Sequence, residues 1–184
     1  MHIYLVRHGQ TDDNFKSIVQ GRVDNPLNDV GRGQAKATGL KLKELNIKFD
    51  HIYSSPLIRA KESASIINNV LGIGDIIVDE GLTEREFGNL EGLDVSYMRW
   101  LVTRPEFKKV GFETDEELIS RVKNTIDKIV LTGENILIVC HSHTIKSLLV
   151  YIDNIKYSFD FPLLNAQVVK ISYNNSTYKV EDII

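Results

Sequence analysis

Short apolar runs alternate along this chain with longer segments whose apolar residues recur every three or four positions. That alternation restricts the fold more than any other feature. Ile3–Val6, His51–Tyr53, Ile76–Val78 and Ile136–Cys140 are too short for helices and read as buried strands, the last most strongly. Between them lie helical patterns with their own punctuation. Asn28 is placed to cap a helix through Leu45, with Ala35, Leu42 and Leu45 on one stripe. Ser55-Pro56 reads as a cap followed by the first helical residue, and Leu57, Ala60, Ala64, Ile67 and Leu71 follow at helical spacing up to Gly72. Thr114 and Glu117 form a capping box ahead of Leu118, Val122, Ile126 and Ile129. Thr144–Tyr151 is helical in pattern, Arg7 to about Leu27 reads as a polar loop, and Gly92–Phe112 is irregular. Alternation returns at Val168–Tyr173 and near the C-terminus. Strands separated by helices of this length predict a three-layer α/β domain, its largely parallel central sheet flanked by helices, spanning residues 1–184.

Composition excludes several classes of function. Lys plus Arg total 22 against 25 Asp plus Glu, a net charge of -3, so neither a nucleic-acid nor a membrane partner is expected. The single cysteine, Cys140, rules out an intramolecular disulfide and a Cys-based structural zinc site. Ile136–Cys140 and Leu148–Ile152 are the longest apolar runs, far below the ~20 residues of a membrane span. No segment resembles a targeting signal, and a cytoplasmic location is expected.

In a parallel sheet, ligands gather beyond the carboxyl ends of the strands. Those ends carry Arg7-His8-Gly9, Ser54-Ser55-Pro56 with Arg59 a turn later, Glu84, and His141-Ser142-His143. Guanidinium forks match phosphate oxygens. Neutral imidazole is a good nucleophile at phosphorus near neutral pH, and its attack divides one hard displacement into two. A carboxylic acid can protonate the departing alkoxide. With arginines and a second imidazole neutralising the phosphoryl oxygens, neither a metal nor any other cofactor is required.

The ordered blocks Leu5-Val6-Arg7-His8-Gly9-Gln10-Thr11 with Asn14, Gln20 through Leu27, Gly31 with Gln34-Ala35, Ser54 through Ala60, Leu82-Thr83-Glu84, Phe87 through Gly92, and Val139-Cys140-His141 resemble the histidine phosphatase superfamily, the phosphoglycerate mutase-like proteins. The resemblance covers most of the chain. It implies that His8 becomes phosphohistidine, that Arg7, Arg59 and His141 hold the phosphoryl group, and that Glu84 is the proton donor. Asn14, Gln20 and Gly21 would complete the pocket. Ser142 stands where the family usually has glycine and is an expected donor to the phosphate. Phe112-Glu113-Thr114 replaces the frequent Gly-Glu-Ser, with Thr still able to cap.

His141 and His143 at i, i+2 would share a face if the strand continued. With His8 they would then offer three nitrogens to zinc, but Arg7 and Arg59 oppose that reading electrostatically. Lys146 occupies the place of the arginine that a Cys-based phosphate loop would need after Cys140. Within the family, residues 92–112 form a short insertion expected to act as a lid, with Met98, Trp100, Phe107 and Phe112 as apolar contacts. Mutases of the family tend to carry a longer insertion, and His-Tyr after Glu-Arg where this chain has Glu86-Phe87. The expected activity is therefore hydrolysis of small phosphorylated metabolites. Mutase-type transfer is the alternative, and a non-catalytic phosphate-binding module is disfavoured by the complete residue set. Arg22, Arg104, Lys108 and Lys109 are candidates for a second anionic group on the substrate.

Overall fold

The computed structural model describes residues 1–184. Six strands form one sheet: β1 (His2–Arg7), β2 (His51–Ser54), β3 (Ile76–Val78), β4 (Asn135–Cys140), β5 (Val168–Asn174) and β6 (Thr177–Ile183), in the order β3-β2-β4-β1-β5-β6. The pairs β3–β2, β2–β4 and β4–β1 are parallel, and β5 and β6 close the far edge antiparallel. Six helices complete the fold: α1 (Asp12–Phe15), α2 (Asp29–Glu44), α3 (Ile58–Leu71), α4 (Val95–Leu101), α5 (Asp115–Ile129) and α6 (Ser142–Ile152). No helix is long and apolar enough to cross a membrane.

The strand periodicity builds two cores. Successive strand residues point to opposite faces. Tyr4, Val6, Leu137 and Val139 pack with Ala35 and Leu42 of α2 and with Ala60, Ala64 and Ile67 of α3. Ile3, Leu5, Ile136, Ile138 and Cys140 face Leu118, Val122, Ile126 and Ile129 of α5 and Ile145, Leu148 and Leu149 of α6. β1 and β4 are buried from both sides, which is why they read as unbroken apolar runs. A third, smaller core of Val19, Phe87 and Leu90 gathers Leu93, Val95, Met98, Leu101, Phe107 and Phe112.

The punctuation holds at several ends. Asn28 accepts from Gly31 N–H, Thr114 and Glu117 form their capping box, and Gly72 ends α3 in the left-handed region at φ 68°. The start of α3 differs from the expectation. The helix begins at Ile58, with Leu57 at its cap and no side chain of its own there. Asp24 instead reaches across to accept from Ile58 N–H, which frees Ser55 for another contact. Leu45 lies beyond the end of α2 and is exposed rather than part of its stripe. The expected loop from Arg7 contains α1, opened by a capping box in which Thr11 and Asn14 serve each other. α6 starts two residues earlier than its apolar pattern. The irregular stretch includes α4, and residues 17–19 pair with 92–95, tying this wall to the loop after α1.

Gly9 and Gly31 are where backbone meets backbone. An added Cβ on Gly31 would overlap the Gln10 carbonyl, and one on Gly9 the Gly31 carbonyl. This contact seats the loop after β1 against the first turn of α2. Gly31→Ala is expected to cost about 1–3 kcal/mol, as overpacking against backbone does. It should also lower kcat more than a distant mutation of equal cost, with urea unfolding and turnover as the two readouts.

Candidate active site

The parallel register of the two central strands sets the geometry. Arg7 pairs with Cys140 and Ser54 with Val139, so His8, His141 and Ser55 emerge side by side at one sheet edge. His8 N–H continues the ladder to the Cys140 carbonyl at 2.9 Å, and Ser55 N–H reaches the Val139 carbonyl at 3.0 Å. The two imidazole rings meet edge to face with centroids 5.1 Å apart.

Both rings are held. His8 Nδ1 lies 2.7 Å from its neighbour's carbonyl, Gly9 O. A carbonyl only accepts, so Nδ1 carries the proton and Nε2 the lone pair. His141 Nε2 shares a 2.7 Å hydrogen bond with Ser55 Oγ, which also accepts from Leu57 N–H, and His141 Nδ1 has no protein partner. Burial pushes both pKa values well below 6.5, and for His8 the adjacent Arg59 and Arg7 add to the effect. Both rings are neutral near pH 7.

The two guanidiniums flank them. Arg59, on the first turn of α3, donates to the carbonyls of Val23 and Gly21 at 2.6 and 2.7 Å. Gly21 sits at φ 51°, and a side chain there would strike Glu91. Arg59 thus shapes the loop that closes this end of the site. Arg7 donates to Leu163 O. The Nε atoms of both arginines lack protein partners, a donor set suited to an anion.

Glu84 arrives from the opposite side. It follows a 3₁₀ turn (Glu80–Leu82) beyond β3, and its carboxylate sits on the N-terminus of α6. Oε1 accepts from Arg85 N–H, His143 N–H and Thr144 N–H at 2.9, 3.1 and 3.2 Å, while Oε2 has only a 3.2 Å contact with His143 N–H. Arg121 of α5 fixes the same segment. It donates to the carbonyls of Gly81 and Thr83 at 2.9 Å and grips Glu113 with two 2.8 Å contacts.

Arg7, His8, Asn14, Gln20, Gly21, Arg59, Glu84 and Ser142 all line one cavity of about 710 Å³, a metabolite-sized volume. His141 is fully buried, with its ring packed edge to face against that of His8 at the cavity wall. Asn14 Oδ1 accepts from Thr11 N–H and from Asn165 Nδ2, and Gln20 Oε1 accepts from Thr11 Oγ1. Met98 and Phe112 contribute to the wall as expected of the 92–112 segment, but Trp100 stacks on Tyr97 outside it, and Phe107 stays in the small core. Of the candidates for a second anion only Lys109 lines the cavity. Arg22 turns to Glu86 and Glu113, and Arg104 lies over Trp100. The strand-borne histidine pair does not form. His141 caps α6 and His143 sits in its first turn, between the rings of Phe87 and Phe159. No three His, Cys, Asp or Glu side chains are grouped to hold a metal ion.

Residues the sequence reading passed over also line the cavity: Arg85, Arg99, Phe159 and Asp160, with Lys146 considered only as a misplaced loop arginine. Asn165 braces the site from the segment before β5, donating to His8 O at 3.2 Å. Arg85 alone had a local signal, standing next to Glu84.

The buried histidines make stability pH-dependent. Burial lowers the folded-state pKa of His8, His141 and His143, the last to about 4, below the ordinary 6.5. The unfolded chain therefore binds protons that the folded one refuses. This stabilisation is complete above about pH 6.5 and is lost as pH falls towards 4, by up to about 1.4 kcal/mol per pH unit for each histidine. Urea unfolding between pH 7.5 and 4.5 should show that decline; a flat profile would contradict it.

Comparison with known proteins gives a consistent result. A sequence model of the histidine phosphatase superfamily (branch 1) matches residues 3–183. An uncharacterized phosphatase, PhoE, of Bacillus subtilis is 33% identical over 183 residues, covering 98% of this chain and 92% of that protein. A 2,3-bisphosphoglycerate-dependent phosphoglycerate mutase of a Methylobacterium species is 30% identical over 168 residues, 83% of this chain and 81% of that one. The crystal structure of a phosphoglycerate mutase from Bacillus anthracis superposes with a TM-score of 0.85 at 27% identity, over 98% of this chain and 91% of that chain.

Proposed function

The chain belongs to the histidine phosphatase superfamily, and within it we propose a metal-independent phosphatase of small phosphate monoesters that works through a phosphohistidine on His8. The observation that carries this reading is the paired state of the two histidines. His8 has its proton committed to Gly9 O, and His141 has one nitrogen unmatched beside it.

The steps follow from these positions. His8 Nε2 donates its lone pair to phosphorus as the bond from phosphorus to the ester oxygen breaks. Arg7 and Arg59 carry the charge on the phosphoryl oxygens. Ser55 Oγ–H donates to His141 Nε2, which leaves Nδ1–H to meet a phosphoryl oxygen. The departing oxygen takes a proton from Glu84, whose Oε2 is the less committed oxygen. Water then attacks the phosphohistidine, Glu84 takes its proton, and the phosphorus–nitrogen bond returns its pair to Nε2. Asn14, Gln20, Gly21 and Ser142 are the remaining contacts to the bound ester. A cytoplasmic location accords with small phosphorylated metabolites as substrates.

Hydrolysis is preferred to transfer because the 92–112 wall is short and Glu86-Phe87 stands after Glu84-Arg85 where mutases tend to carry His-Tyr. Mutase-type transfer is the second reading, favoured by the 30% identity to a phosphoglycerate mutase.

Turnover of a panel of phosphomonoesters in EDTA, beside 3-phosphoglycerate with its bisphosphate, separates the two. Phosphate release throughout the panel is expected. Interconversion of phosphoglycerates without release would establish the mutase, and loss of activity in EDTA restored by zinc would remove the metal-independent mechanism. His8→Ala should abolish turnover and phosphoenzyme formation while the protein stays folded.

Glu84→Gln should slow alkyl phosphates by about a hundredfold or more, since general acid catalysis contributes on that scale. p-Nitrophenyl phosphate, whose leaving group hardly needs a proton, should be slowed much less. Equal losses would argue against Glu84 as the acid.

A further inference from the structure

The sheet gives Glu84 little support. β3 has three residues, lies at the sheet edge, pairs with β2 alone and ends at Val78. Glu84 follows it across the 3₁₀ turn, in which Leu82 is fully buried and sets how deep the turn lies. One apolar anchor does not fix rotation about itself, and a rotation there would swing the carboxylate. The amides of α6 hold Oε1. The backbone behind it is held by a pair of charged side chains, Arg121 and Glu113.

Their contacts straddle Glu84. On one side, Arg121 Nη1 donates to Gly81 O and Thr83 O, the carbonyls that flank Leu82, both at 2.9 Å. On the other, Glu113 Oε2 accepts from Glu86 N–H at 3.3 Å, and Glu113 N–H donates to Glu86 O at 2.9 Å. The two side chains lock to each other through Nε and Nη2, each at 2.8 Å, and Nη2 also reaches Glu84 O at 3.5 Å. All five N–H donors of Arg121 thus have protein acceptors, and none is left for a ligand. Neither side chain lines the cavity. Glu113 is 10% exposed and Arg121 22%, so water competes weakly for these bonds. An ammonium, with three tetrahedral donors, could not make this planar set.

We propose that Arg121 and Glu113 are positioning residues for proton transfer: bracketing Glu84 from both sides, they hold its carboxylate within reach of the departing oxygen without touching the substrate. The proposal rests on Glu84 as the proton donor. A general acid works only within hydrogen-bond reach of its target, and a displacement near 1 Å costs a large factor in rate. Loss of the pair should therefore fall on the step that needs the proton and spare binding and attack by His8.

Rapid-quench measurement of phosphohistidine formation isolates that step. Glycerol 3-phosphate has a leaving group that needs a proton, and p-nitrophenyl phosphate has one that hardly does. Arg121→Met keeps the stem and removes the fork. It should slow phosphorylation by glycerol 3-phosphate about tenfold or more and by p-nitrophenyl phosphate less than about twofold, with half-saturating concentrations little changed. Glu113→Gln, a milder change for the fold, should show the same selectivity at smaller size. Arg121→Met added to Glu84→Gln should slow glycerol 3-phosphate no further than Glu84→Gln alone, as for residues that act as a unit. Near-ultraviolet circular dichroism and urea unfolding confirm that each variant is folded. No loss, equal slowing of both esters by Arg121→Met and Glu113→Gln, or losses that multiply in the double mutant would overturn the proposal and leave Glu84 as the acid. Equal slowing of both esters by Glu84→Gln would remove the acid, and the proposal with it.

Discussion

The pairing of β1 with β4 in parallel, Arg7 opposite Cys140, is the contact on which the rest depends. It brings two residues far apart in sequence, His8 and His141, to adjacent positions at the same sheet edge. Both strands are covered on both faces, so their register is fixed by two cores at once. A slip of one residue would exchange every side chain between those cores and separate the rings. The chemistry is thus held by packing well away from the cavity, and the Gly9–Gly31 contact passes that precision to the loop after β1.

On this scaffold the site is assembled as an excess of donors. Two buried guanidiniums stand beside two neutral imidazoles, and Glu84 is already satisfied along Oε1 by amides of its own segment and α6. Burial beside Arg7 and Arg59 keeps the His8 ring free of the proton that would remove its lone pair. The same arrangement is costly without an anion, because unpaired buried charge is destabilising. On the proposed reading, affinity for phosphate and a free lone pair on His8 have one electrostatic origin.

The fold was legible from the residues because its signals are local. Short unbroken apolar runs marked β1 and β4, spacing marked α3 and α5, and Gly72, Asn28 and the Thr114–Glu117 box marked ends that the structure keeps. His8, Arg59, Glu84 and His141 were legible because each follows a strand, and strand ends share an edge. What could not be read depends on chain returning from a distance. Asp24 caps α3 across 34 positions, while Ser55, the expected cap, accepts from Leu57 N–H and bonds His141. Asn165 and Phe159 enter the site from the segment after α6, which has no periodic pattern. Lys146, read only as standing where a Cys-based phosphate loop would need arginine, is buried in the structure and donates to Phe159 O from the segment after α6.

Glu84 depends on a different support from His8, and the difference bears on the reaction. His8 is fixed by sheet register, whereas the segment that carries Glu84 is fixed by Arg121, which ties the carbonyls of Gly81 and Thr83 to α5 and to Glu113. Arg22 extends the network from Glu113 and Glu86 to the loop that Arg59 holds. The Glu84 segment and the loop at Gly21 are therefore linked by charged contacts through Arg22. Charged contacts at a partly exposed surface adapt more readily than packed strands. In the proposed hydrolysis the leaving group departs on the side of Glu84, where the support is built from charged contacts. The strand-borne support lies at His8, where the proposed reaction brings phosphorus to Nε2.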